Sequence, residues 1–144
     1  MNVKELLEAL IRQENELYNL HKLGETFATF EKIEFADTFR LMAEEELRHR
    51  KTLESMLSEG SLEESEMIDY LDALSLEPVL KDERAEPKSL EELVVEALIR
   101  EQHAYEMYSK LSKILGGSLG HIFRMMAGEE LKHVYRLKIM YEAL

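Results

Sequence analysis

Two segments of this 144-residue chain place a histidine three residues after a glutamate, Glu46-Leu47-Arg48-His49 and Glu130-Leu131-Lys132-His133. The repeat extends upstream: the run Phe39 to His49 differs from the run Phe123 to His133 only at Leu41/Met125, Glu44/Gly128 and Arg48/Lys132. On a helix, a spacing of three puts both side chains on one face. That face also carries Met42, Leu53 and Met56 in the first copy, and Met126, Leu137 and Met140 in the second. Two more glutamates interrupt apolar stripes, Glu14 between Leu10 and Leu17 and Glu101 between Leu98 and Tyr105. Their segments also correspond, with Glu14 and Tyr18 matching Glu101 and Tyr105. Four glutamates and two histidines therefore project toward one interior, in a chain duplicated within itself.

Burying four bare carboxylates is costly, because each loses its hydration without gaining a partner. The nearby basic residues Arg12, Arg48, Arg100 and Lys132 fall off the inward stripes. Two divalent cations answer the charge problem: carboxylates bridge metals and neutral imidazoles cap them, and both iron and manganese accept such donors. One Glu from each of two helices, with Glu-x-x-His from each of the other two, is the ligand pattern of di-iron and di-manganese bundles. A single Glu-x-x-His in a glutamate-rich helical protein says little. Two in register with two matched inward glutamates say much more. The rival reading, solvated or salt-bridged side chains, requires all four helix phases to be shifted.

Those residues need four helices to hold them. Gly24, Gly60, Pro78, Pro87, Gly116-Gly117 and Gly120 divide the chain into four long helical stretches and a central connector. The first runs from about Val3 to near Gly24, with Leu7, Leu10, Ile11, Leu17 and Tyr18 on one face. The second runs from about Lys32 to Ser58. Ser89-Leu90-Glu91-Glu92 has the form of a capping box opening a third helix to about Leu115, and Ser118 is positioned to cap a fourth. The turn around Phe27 and Phe30 has no strong breaker. Ser61-Leu62-Glu63-Glu64 suggests a short helix over about 62–74, followed by an extended stretch. The expectation is an all-α four-helix bundle, one domain over 1–144, with hairpins at about 3–58 and 89–144 and a crossover at about 60–88. The second and third helices would then be parallel. A flexible linker between independent hairpins would leave their apolar stripes exposed.

Composition narrows the function. With no cysteine, the chain holds no disulfide, iron–sulfur cluster or thiol chemistry, which suits a reducing cytoplasm. A net charge of -12 disfavours nucleic acid and anionic lipid as partners. No secretory leader is evident at Met1 to Glu5, and no apolar run approaches the roughly 20 residues of a membrane span. Abundant Leu, Glu, Lys and Ala, with 6 Gly, 2 Pro and no Trp, favour helices. Around the ligand set, Tyr18 and Tyr105 are either hydrogen-bond partners of Glu14 and Glu101 or core aromatics. His21 and Tyr108 lie two turns after the same glutamates, and His21 is either a polar core residue or an extra ligand. His103 and His121 fall outside the motif and are expected at the surface, and the eight methionines mostly occupy inward positions, where core filling explains them.

The set Glu14, Glu46-x-x-His49, Glu101 and Glu130-x-x-His133 resembles the ligands of the rubrerythrin branch of the ferritin-like superfamily, over the whole chain. The resemblance implies a ferritin-like bundle with two iron ions. Glu46 and Glu130 would bridge them, Glu14 and Glu101 would be terminal or semi-bridging carboxylates, and His49 and His133 terminal nitrogen ligands. Family members react with peroxide or dioxygen, commonly in oxidative-stress defence. The implied function is a cytoplasmic di-iron oxidoreductase, with iron storage or buffering without turnover as the alternative. No acid, base or nucleophile stands apart from the ligands. The chain departs from the family at three points. Lacking cysteine, it has no rubredoxin-type iron site, so an external electron-donor protein is expected. Ala104 stands where peroxidase-type members carry a further glutamate. Glu14 to Glu46 spans 32 residues against 29 from Glu101 to Glu130. Ferritin cages are built from longer chains, so a homodimer is expected.

Overall fold

The computed structural model describes residues 3–59 and 86–144. Its helices are α1 (Val3–Glu31), α2 (Ala36–Glu59), α3 (Leu90–Ile114) and α4 (Gly117–Ala143), with a 3-10 turn at Ile33–Phe35. Among the described residues there is no strand, and no helix is long and apolar enough to cross a membrane. The short helix expected over about 62–74 lies outside the described residues.

Gly24 does not end the first helix. It is buried inside α1, where an added Cβ would lie 2.5 Å from the Phe39 ring and 2.9 Å from Leu93 Cδ2. The missing side chain lets three helices approach closely, and that packing offsets the roughly 1 kcal/mol that glycine costs a helix relative to alanine. The chain turns instead at Lys32, whose φ of -152° and ψ of 79° leave the helical region before the 3-10 turn. The second hairpin needs only Leu115 and Gly116 between its helices. The first hairpin's connection, Lys32 to Phe35, is only two residues longer. The rest of the three-residue difference lies in the helices, since α1 runs four residues further past Glu14 than α3 past Glu101 while α2 starts three residues closer to Glu46, and Glu14 stays buried.

Ser89 caps α3 as its sequence predicts: Glu92 N donates to Ser89 Oγ at 3.2 Å, and Glu92 Oε2 accepts from Lys88 N at 2.8 Å. Ser118 is not the cap of α4. Gly116 holds the N-cap position, and Gly117 follows at φ 66°, a left-handed conformation that disfavours any side chain.

Contacts pair α1 with α2 and α3 with α4, and bring α1 against α3 and α2 against α4. Glu14 meets Tyr108 while His21 meets Glu101, so α1 and α3 are antiparallel. His49 meets Glu130 while Glu46 meets His133, so α2 and α4 are too. With each hairpin antiparallel within itself, α2 and α3 run the same way. The core is split along the bundle. One apolar cluster contains Leu6, Leu10, Leu53, Met107 and Phe123, and the other contains Phe39, Met42, Leu93, Ala97 and Leu137. Between them lies a buried polar layer.

Candidate metal centre

Every helix contributes to this layer. α1 supplies Glu14 and His21, α2 Glu46 and His49, α3 Glu101, and α4 Glu130 and His133. Six of these seven residues have no exposure and His49 has 4%. Apolar neighbours three and four residues away on each helix turn these side chains inward, so hydrophobic burial holds the polar atoms together. The six ligands expected from sequence all lie in the layer, joined by His21. Their donor atoms form two groups, each with all atoms within 4.8 Å of one another: Glu14, Glu46, His49 and Glu130 in one, and His21, Glu46, Glu101 and His133 in the other. Glu46 belongs to both.

The two motif histidines are oriented alike. His49 Nε2–H donates to Glu129 Oε2 at 2.7 Å, and His133 Nε2–H donates to Glu45 Oε2 at 2.8 Å. Their Nδ1 atoms face the carboxylates, 2.9 Å from Glu130 Oε1 and 2.8 Å from Glu46 Oε1 respectively. Glu45 and Glu129 are equivalent positions of the repeat. A carboxylate on the far nitrogen fixes the tautomer and raises the basicity of the near one, as at many metal-bound imidazoles. Sequence reasoning passed over this pair, although their identity in both copies was visible.

The phenol on Glu14 is likewise a different one from those expected. Tyr108 Oη donates to Glu14 Oε1 in a short hydrogen bond, and His21 Nε2 approaches Glu101 Oε1 at 2.6 Å. Tyr18 and Tyr105 are half-buried, and among the described residues neither hydrogen-bonds a layer glutamate. A residue seven positions along a helix returns to within about 20° of its starting direction, whereas one four along is rotated by about 40°. Arg12, Arg48 and Lys132 are exposed, and Arg100 pairs with Glu96 and Glu16 away from the layer.

The layer's charge shows in its proton affinities. Burial pushes Glu46 well above the usual carboxylate range, reinforced by Glu101, Glu130 and Glu14. Burial and Glu101 raise Glu130 to about 7. Burial opposes a charge on His49, but the hydrogen bond to Glu129 and the adjacent carboxylates of Glu130 and Glu14 outweigh it and push His49 up to about 12. His133 is likewise raised to about 10 against its burial, by Glu101 and Glu45. Glu45 is held down at about 2 by its hydrogen bond with His133, and Glu129 is lowered by His49. Excess negative charge in the middle thus draws in whatever positive charge is available.

Hydrogen bonding leaves that demand unmet. Among the described residues, neither oxygen of Glu46 or of Glu130 has a hydrogen-bond partner, and Glu14 Oε2, Glu101 Oε2 and His49 Nδ1 are also without one. The 2.9 Å approach of His49 Nδ1 to Glu130 Oε1 lacks hydrogen-bond alignment. Buried lone pairs converging on shared points, with hard oxygen and imidazole donors, suit divalent first-row metals. A cleft of about 280 Å³ lined by Arg48, His49, Thr52, Met125 and Glu129 reaches the layer from the α2–α4 side.

Fold and layer together define a class: a four-helix bundle enclosing a carboxylate–imidazole metal site. The rubrerythrin family model matches residues 5–141, and the chain belongs to that family. No curated protein and no solved structure matches it significantly.

Proposed function

We propose that this chain is a di-iron carboxylate oxidoreductase that reduces peroxide or dioxygen in oxidative-stress defence, with electrons delivered by another protein. The observation that carries the reading is the set of unpartnered, fully buried oxygens of Glu46 and Glu130 between His49 and His133. Glu14, Glu46, His49, Glu101, Glu130 and His133 would hold two iron ions, with manganese as the competing metal. Bound iron supplies one-electron redox chemistry toward the O–O bond. The rest is the chain's own work. Glu45 and Glu129 orient the imidazoles, Tyr108 orients Glu14, and the apolar clusters on either side exclude bulk water. The α2–α4 cleft admits small molecules beside His49. Ala104 is buried and adds no donor one turn beyond Glu101. The cysteine-free chain relies on an outside electron donor, and it works in the cytoplasm as a homodimer.

The test is to load the protein anaerobically with Fe(II), mix it with hydrogen peroxide or dioxygen, and follow turnover with a supplied reductant. Oxidation and re-reduction through many cycles, lost in Glu46→Ala/Glu130→Ala, is expected. Iron that stays ferrous with both oxidants would refute the redox role. Uptake far beyond two irons per chain would point to storage.

A further inference from the structure

The duplicated halves part company at one buried position. Aligning α1 with α3 through Glu14/Glu101 and Tyr18/Tyr105 sets His21 against Tyr108. Tyr108 is a phenol that keeps its proton and spends it on Glu14. His21 is an imidazole with no exposure, its Nε2 2.6 Å from Glu101 Oε1 and its ring edge-on to His133 at a centroid distance of 5.7 Å. Its Nδ1, equally buried, has no hydrogen-bond partner among the described residues, so His21, unlike Tyr108, keeps a second polar atom free of any hydrogen bond. The donor atoms of His21, Glu46, Glu101 and His133 lie mutually within 4.8 Å, a group with two nitrogens. The opposite group, Glu14, Glu46, His49 and Glu130, has one.

We infer that His21 is a nitrogen ligand to one of the two metal positions, so that the centre is built from two chemically unequal halves. This rests on the two-metal reading above. The half containing His21 binds first, and the extra imidazole favours late first-row ions such as cobalt, nickel and zinc over manganese. The half containing Tyr108 is the oxygen-rich and weaker one. His21 is thus the residue that sets the order of filling and the selectivity between metals.

Anaerobic Co(II) titration of the metal-free chain, followed by calorimetry and by the visible ligand-field bands of Co(II), tests this without any turnover. The wild-type chain should bind in two resolved steps, the first at least about tenfold tighter, the scale on which ligand-sphere changes act. His21→Tyr, which restores the symmetry, should merge the steps and change the first-step spectrum while still binding two ions. His21→Gln serves if the larger ring does not pack. Tyr108→His should tighten the weaker step. Unchanged affinities and spectra in His21→Tyr and His21→Gln would reduce His21 to a core residue and overturn the inference. Failure of the wild-type chain to bind Co(II) at all would instead remove the two-metal reading, and this inference with it.

Discussion

The ends and the middle of the bundle are equally buried, yet they are held by opposite means. At the ends, leucine, methionine and phenylalanine side chains leave water and need no further partner. In the middle, Glu14, Glu46, Glu101 and Glu130 lose water and gain one another's charge. Burying two apolar clusters stabilises the fold enough to hold an unfavourable polar layer between them. That division of labour is what a pre-formed ion site requires, because the strain of assembling like charges is met by folding before any cation arrives.

The comparison breaks most visibly in the apolar part. Leu10→Ala should destabilise the protein by ~2–5 kcal/mol in urea unfolding, as expected for a cavity in a packed core. Metal stoichiometry should be unchanged, since Leu10 belongs to an end cluster. Loss of metal with little loss of stability would show that ends and middle are not separable. In the middle the sign reverses. Glu46→Leu should raise the stability of the metal-free chain by ~1–4 kcal/mol, because it removes a buried carboxyl group whose two oxygens have no hydrogen-bond partner among the described residues. It should also abolish the stabilisation that metal confers. A markedly destabilised metal-free variant would mean that Glu46 is structurally satisfied.

A smaller change sharpens the picture. Glu129→Gln leaves all seven side chains of the layer in place but weakens the acceptor on His49 Nε2, and should lower metal affinity by about 10–100-fold in competition with a chelator. An affinity within twofold of wild type would deny Glu129 that role.

A further effect is in pH. The folded pKa values of His133 and His49 are raised to about 10 and about 12, so their protons stabilise the fold fully below about 6.5 and less as pH climbs through those values. Glu130, raised to about 7, adds a loss between its ordinary range and neutrality. His21, lowered to about 3, acts in the opposite direction, but its contribution is already complete above about 6.5. The metal-free melting temperature should therefore fall as pH rises from 6 to 9, while metal binding, which displaces those protons, tightens. A metal-free melting temperature that rises over this interval would contradict the assignment.

Much of this was legible before the structure. The paired Glu-x-x-His motifs and the inward phases of Glu14 and Glu101 follow from helix periodicity, and they converge here as periodicity requires. Ser89 announced its cap by a local pattern. What escaped depends on distance across the bundle. Gly24 looks like a helix end until Phe39 and Leu93 are seen pressing on it. Glu45 and Glu129 sit one residue before Glu46 and Glu130, pointing sideways along their own helices, and only the neighbouring helix shows which imidazole each one reaches. Tyr108 and His21 were placed two turns from their own glutamates, but each serves the glutamate of the other helix, a relation set by the antiparallel packing of α1 and α3.

The central claim, that the polar layer is a site for two metal ions, is tested most directly by metal content. The protein would be purified from iron-supplemented cells beside Glu46→Ala/Glu130→Ala, with metals quantified per chain. Two metals per wild-type chain and none in the variant is the result predicted. A wild-type chain that carries no metal, and takes up none on anaerobic addition of Fe(II), would contradict the account.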